Sequence, residues 1–136
     1  MKRNGFTLIE LVVTMAIVAI LTAIAVPAYT AYTKTANRTD ATRTLTFYAQ
    51  ALERCYSQAF TYVGCSSIPA TLPTTSAQGY YSVAISVPTA STFSITATPL
   101  KAPQTNDSLC TSFTLTNAGT QSATPAANTQ TCWGST

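Results

Sequence analysis

The sequence predicts an α+β fold in which one long N-terminal helix packs its second half on a small antiparallel β-sheet. Three observations predict it. From Phe6 to Val26 the chain is apolar except for one charge, Glu10, and three threonines, Thr7 at its start and Thr14 and Thr22 as mild interruptions. Leu45, Tyr48, Ala49, Leu52 and Tyr56 recur at spacings of three and four, which puts them on one face of a helix. From Tyr81 to Thr116 apolar and hydroxyl residues alternate in short runs, as strands with one buried face require.

The apolar run comes first. At about 1.5 Å per residue it reaches roughly 31 Å, enough to cross the hydrocarbon core of a bilayer. Ahead of it Met1-Lys2-Arg3-Asn4-Gly5 is a short basic head that keeps Lys2 and Arg3 on the cytoplasmic side. A secretory signal would carry its small-residue cleavage site after the apolar run. Here Gly5 precedes it, so cleavage there would leave the helix on the mature chain. A plain anchor is the other reading of such hydropathy, and Glu10 argues against it. A carboxylate in a membrane segment is costly unless it snorkels or finds a partner.

Gly5-Phe6-Thr7-Leu8-Ile9-Glu10-Leu11, with the basic head before it and the unbroken apolar helix after it, resembles the processing site of type IV pilins and related pilin-like proteins. The resemblance implies that a prepilin peptidase cuts between Gly5 and Phe6 and that Phe6 is then N-methylated. It divides the chain into a leader, residues 1–5, a transmembrane and filament-core half-helix, 6–33, and a globular head, 34–136. The local match ends near Tyr32; beyond it the likeness is one of layout.

Pro27 lacks an amide donor and crowds the preceding turn, so a kink or local opening is expected there. The resemblance implies that this segment opens when subunits pack in a filament. Past Pro27 the pattern turns amphipathic, with Arg38, Asp40, Arg43, Glu53 and Arg54 as its polar remainder, and the helix is expected to run from about Phe6 to Gln58. Gly64, Pro69 and Pro73 mark a loop over 59–79. Strands are expected at Tyr81–Val87, Phe93–Thr98 and Phe113–Thr116, with Gln121–Thr124 a weaker fourth. The sheet's greasy face needs a cover, and the amphipathic half-helix supplies one.

With 136 residues there is room for the long helix and one small domain. Charged residues make up only 8%, against about 25% in an ordinary soluble domain, so the chain sits partly in lipid or hides surface against partners. The formal charge of +3 falls to about +1 without Lys2 and Arg3, which makes no electrostatic case for nucleic acid. There is no histidine and there are four acids, so general acid–base chemistry has few candidates, and neither enzyme activity nor a cofactor is expected. Asp40 and Glu53 read as solvated helix positions and Asp107 as a turn residue in Thr105-Asn106-Asp107-Ser108.

Cys55, Cys65, Cys110 and Cys132 allow three pairings. Zinc is poorly served, because no cysteine lies two residues from another and histidine is absent. The favoured set is Cys55–Cys65, tying the helix end to the following loop, and Cys110–Cys132. The second pair lies where the resemblance places a disulfide-bounded C-terminal loop. Each bond would stabilise by about 3 kcal/mol on the loop-entropy estimate.

What the resemblance implies for function is a structural subunit of a type IV pilus, polymerising through its helix and serving adhesion, twitching motility or DNA uptake. A minor pilin that binds or primes, and behind it a type II secretion pseudopilin, are the alternatives. The implied partners are further copies in a helical filament, other pilins, the prepilin peptidase and an inner-membrane assembly platform. DNA is a partner without support in the sequence. The chain would be a single-pass inner-membrane protein first and a surface filament afterwards. Assembly would rest on Glu10, which can meet the Phe6 amine of a neighbour in the apolar bundle, on packing by Leu8, Leu11, Val12 and Met15, and on Pro27.

Overall fold

A computed structural model describes residues 6–69 and 71–134. Helix α1 (Leu8–Ala59) is followed by five strands, β1 (Thr74–Thr75), β2 (Tyr81–Thr89), β3 (Thr92–Pro99), β4 (Ser112–Thr116) and β5 (Gln121–Thr124), and by a short helix α2 (Thr129–Trp133). The strands pair antiparallel in sequence order, so the sheet is a meander. The expected leader, with Gly5, lies outside the described residues. Contacts divide the chain after Thr33 into two units.

In the first unit α1 is exposed without a break from Leu8 to Tyr29. It is long and apolar enough to cross a membrane. Its threonines do not break the run, because each hydroxyl donates to a carbonyl one turn back: Thr14 to Leu11, Thr22 to Val18 and Thr30 to Val26, all at 2.9 Å. A hydroxyl satisfied in this way costs little in lipid. The helix assignment continues through Pro27.

In the second unit Ala41, Leu45 and Leu52 of α1 enter one core with the inward face of the sheet, and Tyr48, Ala49 and Tyr56 flank it. Strand register explains the face. Val83, Ala97, Phe113 and Ala123 lie in one rank across β2 to β5, and Ile85, Ile95 and Leu115 in the next. Tyr81 and Phe113, both fully buried, meet edge to face at 5.6 Å. The opposite ranks carry Ser82, Thr98, Thr96, Thr114, Ser122, Ser94 and Thr116, so that face is hydroxyl-covered and without charge.

Several boundaries differ from expectation. Thr74–Thr75, read as loop, pairs with Ser82 and Val83. Strand β2 continues through Pro88, which a register shift between Ser86 and Thr89 accommodates. Gln121–Thr124 is a full member of the sheet, and α2, absent from the sequence reading, covers its outer edge. There the Trp133 indole N–H donates to the Ser122 carbonyl at 2.9 Å, and the Ala123 N–H donates to Thr129 Oγ1 at 3.2 Å. The Thr111 N–H and hydroxyl both donate to the Thr124 carbonyl, which carries the β4–β5 pairing one residue further. An open strand edge invites pairing with another chain, and Thr129 and Trp133 cover it.

Cys110 and Cys132 form a disulfide that ties α2 to the chain just before β4, and Cys55 and Cys65 form one that ties the last turn of α1 to the next loop. Inside that loop Tyr62 stacks on Tyr56 at 4.6 Å, meets Phe93 edge to face, and donates its hydroxyl to Glu53 at 2.8 Å.

Trp133→Ala removes both the edge-to-face contact with Phe113 and the cap on Ser122. It is expected to cost about 2 kcal/mol and to raise light scattering on heating. Scattering no greater than that of the native protein would show that the β5 edge is protected by something else.

Candidate functional site

Two places carry chemistry. At the start of α1, Thr7 and Glu10 form a reciprocal cap. The Thr7 amide donates to Glu10 Oε2 at 3.0 Å and its hydroxyl to the same oxygen at 2.8 Å, while the Glu10 amide donates weakly to Thr7 Oγ1 at 3.4 Å. This satisfies free amides of the first turn and puts a carboxylate at the positive end of the helix. The sequence reading treated Glu10 only as an assembly residue. The signal it missed was the Thr-x-x-Glu spacing just before the apolar run. Phe6 (85% exposed), Leu8 (80%), Leu11, Val12 and Met15 surround this cap without cover, and so large an apolar surface needs lipid or other chains around it.

The second place is the set of loops docked on α1 in the head. Asp40 and Asp107 are buried, not solvated helix or turn positions. Asp40 accepts from the Ser76 hydroxyl at 2.5 Å, the Gln78 amide at 3.1 Å and the Tyr80 amide at 3.4 Å, and so anchors the turn that leads into β2. Arg38 Nε and Nη2 donate to the two oxygens of Asp107 at 2.8 and 2.9 Å, which fixes the 100–109 loop. Gln104, fully buried, donates to the Tyr81 hydroxyl at 2.6 Å and the Lys34 carbonyl at 3.2 Å. Lys34 Nζ in turn donates to the Asn106 carbonyl at 2.6 Å. Tertiary folding, which spacing along the sequence does not reveal, brings these partners together from positions 23 to 72 residues apart.

Burial pushes the Asp107 carboxyl up, and the Arg38 guanidinium more than offsets that. With help from the Leu109 amide and Lys34, it holds the group below the usual aspartate range. Burial also pushes the Tyr81 phenol up to about 12, against the lowering effect of the Gln104 amide. Among the described residues no group of acidic, cysteine or histidine side chains could hold a metal ion.

With this geometry, two family matches together span residues 1–114. A prokaryotic N-terminal methylation motif matches residues 1–26. The family described as "Type IV minor pilin ComP, DNA uptake sequence receptor" matches residues 27–114, more than half of the chain. The chain belongs to this type IV minor pilin family. Pilins are structural proteins that associate with other pilins, and the motif with its apolar helix fits a membrane-anchored precursor. The Escherichia coli (strain K12) "Prepilin peptidase-dependent protein D" is 50% identical over 54 residues, 40% of this pilin and 37% of that protein. The Aeromonas hydrophila "Type IV pilus subunit protein TapA" is 39% identical over 66 residues, 48% of this pilin and 46% of that protein. The matched stretch thus spans less than half the length of either relative. In fold, the pilin is similar to the Neisseria meningitidis non-core minor pilin PilV, with a TM-score of 0.52 and 22% identity, over 68% of this chain and 87% of that one.

The ion pair sets a pH dependence. Because the folded pilin holds the Asp107 carboxyl below its ordinary value, the pair's contribution is complete above about pH 4, the ordinary aspartate range. It is lost as pH falls through the lower folded value. The urea midpoint should therefore drop below about pH 4 more steeply in the native pilin than in the Arg38→Met/Asp107→Leu double variant. Asp107→Ala alone, which leaves Arg38 buried and unpaired, should cost about 3–5 kcal/mol at neutral pH. Parallel pH curves for native and double variant would remove the pair from this role.

Proposed function

We propose that this pilin is a minor subunit of a type IV pilus whose head serves DNA uptake. The observation that carries the reading is the minor-pilin match over 27–114, which includes all of α1's second half and the sheet as far as the middle of β4. In this reading the apolar half of α1 holds the precursor in the inner membrane with the head outside the cytoplasm. The prepilin peptidase cuts after Gly5, and Phe6 becomes a methylated amine. At the assembly platform Glu10 of one subunit pairs with the Phe6 amine of a neighbour, which offsets the desolvation of both charges. Thr7 occupies one carboxylate oxygen of Glu10, and Oε1 is the oxygen this pairing would use. Leu8, Leu11, Val12 and Met15 supply the packing, and Pro27 is where the helix would open in the filament.

A bulk filament subunit is the second reading, favoured by the likeness to a relative named a pilus subunit protein. Deleting the gene separates the two. Loss of labelled-DNA uptake with filaments intact is expected for the minor subunit, whereas loss of the filaments themselves would make this the bulk component.

Gly5→Val should leave an uncleaved precursor of slightly greater mass, and Glu10→Val should insert in the membrane but fail to enter sheared filaments. Mass spectrometry of membrane and filament fractions checks both. Filaments of normal composition with Glu10→Val would sink the pairing step.

A further inference from the structure

Beyond the apolar run, and before the head begins at Lys34, α1 carries two tyrosines whose rings stand in the open. Tyr29 is 70% exposed and Tyr32 73%. Three residues apart on one continuous helix, they share a face. Height along the helix decides what that face meets. Leu8 to Val26 rises about 27 Å, and Phe6 and Thr7 bring the apolar run to the roughly 30 Å of a hydrocarbon core. Because α1 continues through Pro27, the backbones of Tyr29 and Tyr32 lie about 4.5 and 9 Å beyond Val26. A headgroup layer is about 5–7 Å deep. Helical side chains slant back toward the N-terminus, which brings both rings down into that layer.

The charges point the same way. A membrane-spanning helix is held at its ends by Trp, Tyr, Lys or Arg in the interface. Here no charged side chain occurs from Leu11 to Thr33. The first two cations after that stretch are taken up inside the head, Lys34 by the Asn106 carbonyl and Arg38 by the Asp107 carboxylate. Arg43, the next, stands about 25 Å past Val26 along the helix, out of reach of the lipid phosphates. The interface is therefore left to the tyrosines, whose rings suit lipid and whose hydroxyls suit water. We propose that Tyr29 and Tyr32 form a belt in the lipid headgroup layer on the head's side of the membrane and fix how deep α1 sits in the precursor. This rests on the membrane-anchored reading of the precursor and names the side chains and the lipid zone that set its depth.

The test places the full chain in nanodiscs of two phosphatidylcholines whose hydrocarbon cores differ by about 5 Å in thickness. Val26→Trp is the reporter. Lipids with a spin-label quencher near the headgroup or near the chain end locate its indole, and the native chain, with Trp133 alone, gives the background. With both tyrosines present, the reporter should lie at the same depth below the head-side headgroups in the two bilayers. In a Tyr29→Ala/Tyr32→Ala background it should move by about 2–5 Å, half to all of the difference in thickness, because that end no longer resists the mismatch. Both rings lie outside the head, so an unchanged thermal midpoint is expected and separates lost anchoring from lost folding.

A reporter that keeps its depth without the tyrosines, or that shifts with thickness in their presence, would overturn the belt and leave the membrane anchor in place. Lost cross-linking between two chains in one disc, with no change of depth, would assign the rings to a contact between copies and overturn it too. A native chain that does not enter the discs would remove the anchored reading itself.

Discussion

The apolar surface of the first half of α1 is the constraint on which the rest depends. Phe6 to Val26 offers lipid-like side chains around its whole circumference, and the described chain buries none of it. In water such a surface would aggregate, so the protein exists either in a bilayer or among other chains with the same surface. Polar groups along it are accordingly silenced locally. The threonine hydroxyls return to backbone carbonyls, and Glu10 and Thr7 satisfy one another at the first turn.

A reciprocal cap has a consequence for assembly. An unpartnered carboxylate in an apolar bundle would be costly, and hydrogen bonds from Thr7 lower that cost before any neighbour arrives. Glu10 therefore needs a partner less desperately than its sequence position suggests. The proposed pairing with a neighbouring amine would then select register more than it would supply net stability.

The head solves a different problem with the same helix. Few charges are available, and the structure spends two of them inside, as the Arg38–Asp107 pair, and a third as the Asp40 anchor. Each ties a loop to α1, so the loops between strands are held from below by polar contacts and the strands from above by the apolar core. The C-terminal disulfide holds α2 against β5, where its side chains occupy the carbonyls and amides of the outer strand. An outward sheet face made of serine and threonine, with no charge, keeps the meander soluble without committing it to an ionic partner.

By itself the sequence determined the long helix, its change of character after Pro27, and the strands at Tyr81, Phe93 and Phe113. Those rest on periodicity, and periodicity is local: side chains at i, i+3 and i+4 or at i, i+2 must share a face whatever else the chain does. It also carried the processing motif, which is a contiguous string. The cap at Thr7 and Glu10 was legible too, being a four-residue spacing. Only the tertiary structure decided that Asp40 and Asp107 are buried anchors and that Arg38 is not a surface cation. It alone made Thr74–Thr75 a strand, gave the weakly signalled Gln121–Thr124 full membership of the sheet, and set α2 along the sheet edge. In each case the deciding partner lies far along the chain, and a short or polar segment takes its conformation from the surface it meets.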